Sequence, residues 1–169
     1  TLTNIRVRSS SETSRSFDSG IEISDQAAII LNNVQVENYT EGISITTGDS
    51  RAVSTPTLTN IRVRNSSETN RTVSTGLALS GNVIARVTDL ETDNCTLGFS
   101  YLQSGDPSRV TATPTLTNIR VRNSSESSRN ERLGILLDYP GRLVLDDVEI
   151  EDCTGALNVV NSQRALSTP

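Results

Sequence analysis

The segment Thr-Leu-Thr-Asn-Ile-Arg-Val-Arg opens the chain at Thr1 and returns at Thr57 and Thr115, intervals of 56 and 58 residues. Each copy closes on Ser-Thr-Pro or Ala-Thr-Pro, at Pro56, Pro114 and Pro169. A long period of this kind is the mark of a solenoid or an array, in which one repeat buries its apolar face only against the next. The repeats run 1–56, 57–114 and 115–169, a single solenoid with nothing left over. The absence of an initiator Met, leader or divergent cap reads as a window on a longer array.

A fainter period lies inside the first. Leu58-Thr-Asn-Ile-Arg-Val-Arg-Asn65 matches Val87-Thr-Asp-Leu-Glu-Thr-Asp-Asn94 and Leu31-Asn-Asn-Val-Gln-Val-Glu-Asn38. The shared pattern is apolar-x-x-apolar-x-apolar-x-Asn. Its anchors fall at Leu2, Leu31, Leu58, Val87, Leu116 and Leu145, so each repeat holds two coils and the chain about six. A small residue and an alternating strand follow each time, as in Gly20-Ile-Glu-Ile, Gly42-Ile-Ser-Ile and Gly98-Phe-Ser-Tyr. Alternation gives each strand one buried face. A third apolar stretch precedes the anchors, such as Ala28-Ile-Ile30 and Arg109-Val-Thr111, which predicts three short strands per coil. The spacing from the Asn column to the small residue alternates between 11 and 4 positions, so long loops leave one side every second coil.

In-register stacking turns matching positions into columns. Val7, Val36, Val63, Thr92, Val121 and Ile150 form an inward column. The outward column beside it reads Arg8, Glu37, Arg64, Asp93, Arg122, Glu151, a strict alternation of charge. Arg6, Gln35, Arg62, Glu91, Arg120 and Glu149 repeat it with one neutral member. Parallel strands set such side chains one rung apart, where opposite charges attract and a slip of one coil would set Arg over Arg. The next column, Ser9, Asn38, Asn65, Asn94, Asn123 and Asp152, reads as an asparagine ladder at a turn. Asn38, Asn65, Asn94 and Asn123 also stand in glycosylation motifs, but a ladder amide points inward and carries no glycan. Asn70, in Asn-Arg-Thr of a long loop, is the position expected to accept one. Cys95 and Cys153 share a column two coils apart, roughly 9–10 Å, which is too far for a disulfide and predicts inert buried thiols.

The stretch from Leu31 to Ile45, Leu-Asn-Asn-Val-Gln-Val-Glu-Asn-Tyr-Thr-Glu-Gly-Ile-Ser-Ile, resembles the coil repeat of right-handed parallel β-helix proteins, the pectate-lyase-like superfold. The resemblance covers all six coils. It implies an all-β, right-handed parallel β-helix, with a leucine-rich-repeat solenoid as the alternative. That superfold carries lyases, hydrolases, tailspikes, adhesins and surface fibres, so fold alone does not name an activity. Its polygalacturonase-like members use clustered Asp with His and Lys, and its lyase-like members use Arg or Lys beside an acid-held calcium. This chain has no His, and all 15 of its basic residues are Arg. Without His a Ser-His-Asp triad is excluded. No calcium-loop pattern is present, Gly48-Asp-Ser50 and Gly105-Asp-Pro107 read as polar turns, and the interrupted Thr column argues against ice binding.

No catalytic, metal or cofactor residue is therefore expected. A net charge of −5 argues against nucleic acid, and no apolar run approaches a membrane span. The expected protein is a structural or adhesive extracellular or cell-surface solenoid, a segment of a fibre. Its partners would be further copies stacked end to end or side by side, with surface glycans second. The alternative is the non-catalytic stem of a carbohydrate-binding or carbohydrate-cleaving β-helix. The ladder would continue past Pro169 into another Thr-Leu-Thr-Asn.

Overall fold

A computed structural model of the chain describes residues 1–9, 19–25, 28–48, 52–65, 74–103, 112–123, 133–139 and 141–160. They form twelve strands and no helix: β1 (Leu2–Arg8), β2 (Ser19–Ser24), β3 (Ile30–Glu37), β4 (Glu41–Thr46), β5 (Thr57–Arg64), β6 (Thr75–Ser80), β7 (Arg86–Asp93), β8 (Leu97–Leu102), β9 (Thr115–Arg122), β10 (Leu133–Asp138), β11 (Val144–Glu151) and β12 (Gly155–Val160). The odd strands form one six-stranded sheet in the order β1-β3-β5-β7-β9-β11, and the even strands form a second, β2 to β12, in the same progression. Every pairing is parallel. This is a parallel β-solenoid of six coils, two per sequence repeat.

Register follows the sequence columns. Leu2 pairs with Leu31, Leu31 with Leu58, Leu58 with Val87, Val87 with Leu116, and Leu116 with Leu145. The inner faces of both sheets meet in one apolar core that runs the length of the stack, through Leu31, Val34, Val36, Ile43, Ile45 and their equivalents. Phe99 and Tyr101 enter the Ile43 and Ile45 columns, and Tyr101 lies 5.2 Å from the Tyr139 ring. The Tyr101 hydroxyl donates to the Val83 carbonyl, and burial pushes its pKa above the usual tyrosine range.

Among the described residues the predicted third strand per coil is not formed. Among the described residues that side holds a single bridge, Ser54 to Val83, plus isolated backbone bonds such as Arg86 N–H to Pro56 O and Val144 N–H to Pro114 O. Two proline nitrogens recur on this side and can donate nothing to a ladder, and Gly81 turns through a φ of 91°. Arg109-Val-Thr111 lies outside the described residues.

The break in alternation, apolar-x-x-apolar, has a backbone cause. Its second x is Asn4, Asn33, Asn60, Asp89, Asn118 and Asp147, and all six have a left-handed φ between 53° and 57°. One left-handed residue per strand turns an extra side chain outward and returns the next to the core. Asn and Asp tolerate this region better than any other residue except Gly. The kink recurs in every odd-numbered strand, so the pairing stays continuous across it.

Candidate functional site

The left-handed kink sets the phase of the outer face. After it, residues 5 and 7 of β1 point inward and Arg6 and Arg8 outward, and each odd-numbered strand repeats the arrangement. Backbone register pairs Arg8 with Glu37, Glu37 with Arg64, Arg64 with Asp93, Asp93 with Arg122, and Arg122 with Glu151. The second column is likewise continuous from Arg6 through Gln35, Arg62, Glu91 and Arg120 to Glu149.

The ion pairs link the two columns as well as adjacent rungs. Glu37 meets Arg6 at 3.1 Å and Arg8 at 3.3 Å, and Gln35 donates to it at 2.8 Å. Glu91 meets Arg62 at 2.8 Å and Arg64 at 3.0 Å. In the third repeat Glu149 pairs with Arg120, and Glu151 with Arg122 at 3.0 Å. In the first two repeats one carboxylate is thus held by two guanidiniums. Partial burial alone would raise the Glu91 carboxyl, but hydrogen bonds from Arg64 and Arg62 and their charges outweigh it and hold it below the ordinary range. The Glu149 carboxyl is lowered chiefly by its bond from Arg120, whose own pKa rises in return.

The asparagine column after these strands is divided by coil. Asn38, Asn94 and Asp152 take a left-handed φ of 66°, 58° and 56° and make the short turn into the next strand. Asn65 and Asn123, at the start of the long loops, do not share it. Instead the Asn65 amide donates to Cys95 Sγ at 3.7 Å, and the Asn123 amide to Cys153 Sγ at 2.9 Å. Backbone bonds carry the ladder through the column, from Ser9 N–H to Glu37 O through to Asn123 N–H to Glu151 O. Asn38, Asn65 and Asn123 are buried, which is incompatible with a glycan. Asn70 and the long loops lie outside the described residues, as do Asp49, Ser50 and Gly105–Pro107. Neither cysteine forms a disulfide; Cys95 is buried, whereas Cys153 is half-exposed rather than inert by burial.

An exposed amide ladder does exist, at the kink. Asn33 donates to Asn4 Oδ1 at 2.7 Å, Asn60 to Asn33 at 3.0 Å, and Asn118 to Asp89 at 2.5 Å. The unbroken Asn/Asp at this position in all six coils was the signal for it.

Beside the asparagine corner, Arg8, Glu37, Asn38, Arg64, Asn65, Asp93 and Asn94 line a shallow groove of about 260 Å³. Its walls alternate guanidinium, carboxylate and amide groups. No group of three or more potential metal ligands occurs among the described residues, and no helix there is long and apolar enough to cross a membrane. Comparison with protein-family models, curated proteins and solved structures finds no match, so the site is read from its own geometry.

Proposed function

We propose that the chain is a structural or adhesive solenoid, a segment of an extracellular or cell-surface fibre. The observation that supports this is continuity: two charge columns and the apolar core keep register through every rung, so that residues are spent on holding coil to coil. Each exposed pair is worth only about 0–1 kcal/mol, which makes the ladder a register device more than a source of stability. Such a rod transmits length and presents a repeated face. Electron microscopy of the protein isolated from its source should show rods or fibres with a rise of about 4.8 Å per coil. Discrete globular particles would overturn the reading.

A second reading is carbohydrate binding along the corner. The groove beside Arg64 and Asn65 favours it, since mixed amide, carboxylate and guanidinium groups suit sugar hydroxyls. A glycan array probed with the purified chain tests this: saturable binding that is lost in Arg64→Ala supports it, and an array without signal removes it.

A further inference from the structure

Three outward columns run side by side over the broad face of the odd-numbered sheet. They are the kink column through Asn60 and Asp89, the charge column through Arg62 and Glu91, and the charge column through Arg64 and Asp93. The arginines are not used up by the ladder. Arg62 and Arg64 keep 46% and 45% of their side-chain surface exposed while both are bonded to Glu91. A guanidinium has further N–H donors beyond those it spends on one carboxylate.

The alternation of charge has a symmetry consequence. Sign changes at each rung, so a displacement of one rung inverts the pattern. A second copy laid on this face parallel and at equal height sets Arg against Arg. An antiparallel copy whose twofold axis passes through a rung does the same. An antiparallel copy whose axis passes between two rungs sets every rung against one of opposite sign. With that axis between β5 and β7, Arg62 faces Glu91 of the second copy and Arg64 faces its Asp93. One rung further out, Glu37 faces its Arg122, and the neutral Gln35 faces its Arg120. In the kink column the Asn60 amide faces the Asp89 carboxylate. Each pairing occurs twice, as a closed isologous dimer requires. The one neutral member of the charge columns thus falls where it sets no like charges together.

The arrangement is centred on the middle repeat and uses no terminal coil. Strands β3, β5, β7 and β9 have eight residues each. At about 3.3 Å per residue and about 4.8 Å per rung they cover about 500 Å² on each copy. A total of about 1,000 Å² is the low end of specific interfaces and suits reversible association. Other occupants match less of the face. A polyanion meets a carboxylate at every second rung, and a neutral polymer leaves both signs of charge covered without a counter-charge. A surface with the same rung spacing and the same alternation satisfies all of it, and this chain carries one.

We propose that the outer face of the odd-numbered sheet docks a second copy of this chain, antiparallel, about a twofold axis between β5 and β7. The pairing needs no continuous fibre, so it goes beyond the fibre reading and stands without it.

The test is sedimentation equilibrium of the purified 169-residue chain over a concentration series. It is run at about 0.1 M and about 1 M salt, where charges act over about 10 Å and about 3 Å. Reversible dimers are expected at the lower salt, at least about tenfold weaker at the higher. Arg64→Glu and Asp93→Arg each set like charges across the axis, and each alone should weaken association at least about tenfold. An equimolar mixture of the two should recover the association of the parent, because each variant supplies the charge that the other has lost. Circular dichroism checks that both are folded. Should either reversal unfold the chain, the milder Arg64→Gln tests the same contact, with association about threefold weaker expected and unchanged association overturning the proposal. A parent that stays monomeric at both salts overturns it, as does a dimer indifferent to salt. A mixture of folded variants that associates no better than its components overturns it also. None of these results bears on whether native material is fibrous, which the microscopy above decides.

Discussion

A methyl group at Gly98 would stand 2.8 Å from the carbonyl oxygen of Gly134, one coil further along the solenoid. The glycine is therefore set by the approach of backbone to backbone in the interior of the stack. Gly98→Ala should push coils four and five apart locally and cost about 1–3 kcal/mol, the usual range for over-packing. Chemical denaturation monitored by circular dichroism measures this. A change within error would mean that neighbouring coils adjust freely.

The Glu91 carboxylate is bonded by both Arg62 and Arg64. Its pKa lies below the reference 4.5 in the folded chain. Such a group contributes stability above its unfolded pKa and loses it as pH falls through the folded value. Glu91→Gln should be less stable than the parent at pH 7, by about 1 kcal/mol or less. The gap should narrow as the pH drops below 4.5. Urea unfolding at several pH values checks the trend, and a gap that is constant with pH would show that the carboxylate charge is not what stabilises.

Coil length, strand phase and the charge columns were legible in the sequence because a stacked coil repeats its chemistry at fixed spacing. Two things were not. The third side was read as strand from stretches such as Ala28-Ile-Ile30, since apolarity marks burial without marking pairing, and the prolines there withhold donors. The amide ladder is expected at Asn38, Asn65, Asn94, Asn123 and Asp152, of which Asn65 and Asn123 turn their amides to cysteine sulfurs, while the outward ladder at Asn4, Asn33 and Asn60 has no counterpart in that reading. Asparagine at a corner and asparagine at a kink look alike in a sequence; only the backbone φ tells which amide faces its counterpart.

That kink gives a prediction. Asn118 sits at a φ of 54° and donates to Asp89. Asn118→Val forces a branched side chain into the left-handed region and should cost about 2 kcal/mol. Asn118→Gly loses the amide bond but relieves the backbone, and should cost less than about 1 kcal/mol. The order of the two midpoints in denaturant is the test; equal loss in both would assign the effect to the hydrogen bond alone.

Thr92 interrupts an inward column otherwise filled by Val7, Val36, Val63, Val121 and Ile150. It is fully buried, and its hydroxyl has no hydrogen-bond partner among the described residues. A buried hydroxyl without a partner forfeits its hydration and gains nothing in return. Valine has nearly the same outline and is what the register neighbours Val63 and Val121 already carry, so the space is known to accept it. Thr92→Val should therefore stabilise the chain, by about 1 kcal/mol. For a chain of this size that is a rise in Tm of about 2–4 °C, readable by calorimetry. Gly76 and Gly98 lie against Thr92 from the other sheet, so the gain depends on the extra methyl fitting between them. A fall in Tm would show that the hydroxyl is satisfied by ordered water or that those two backbones close too tightly for a methyl group.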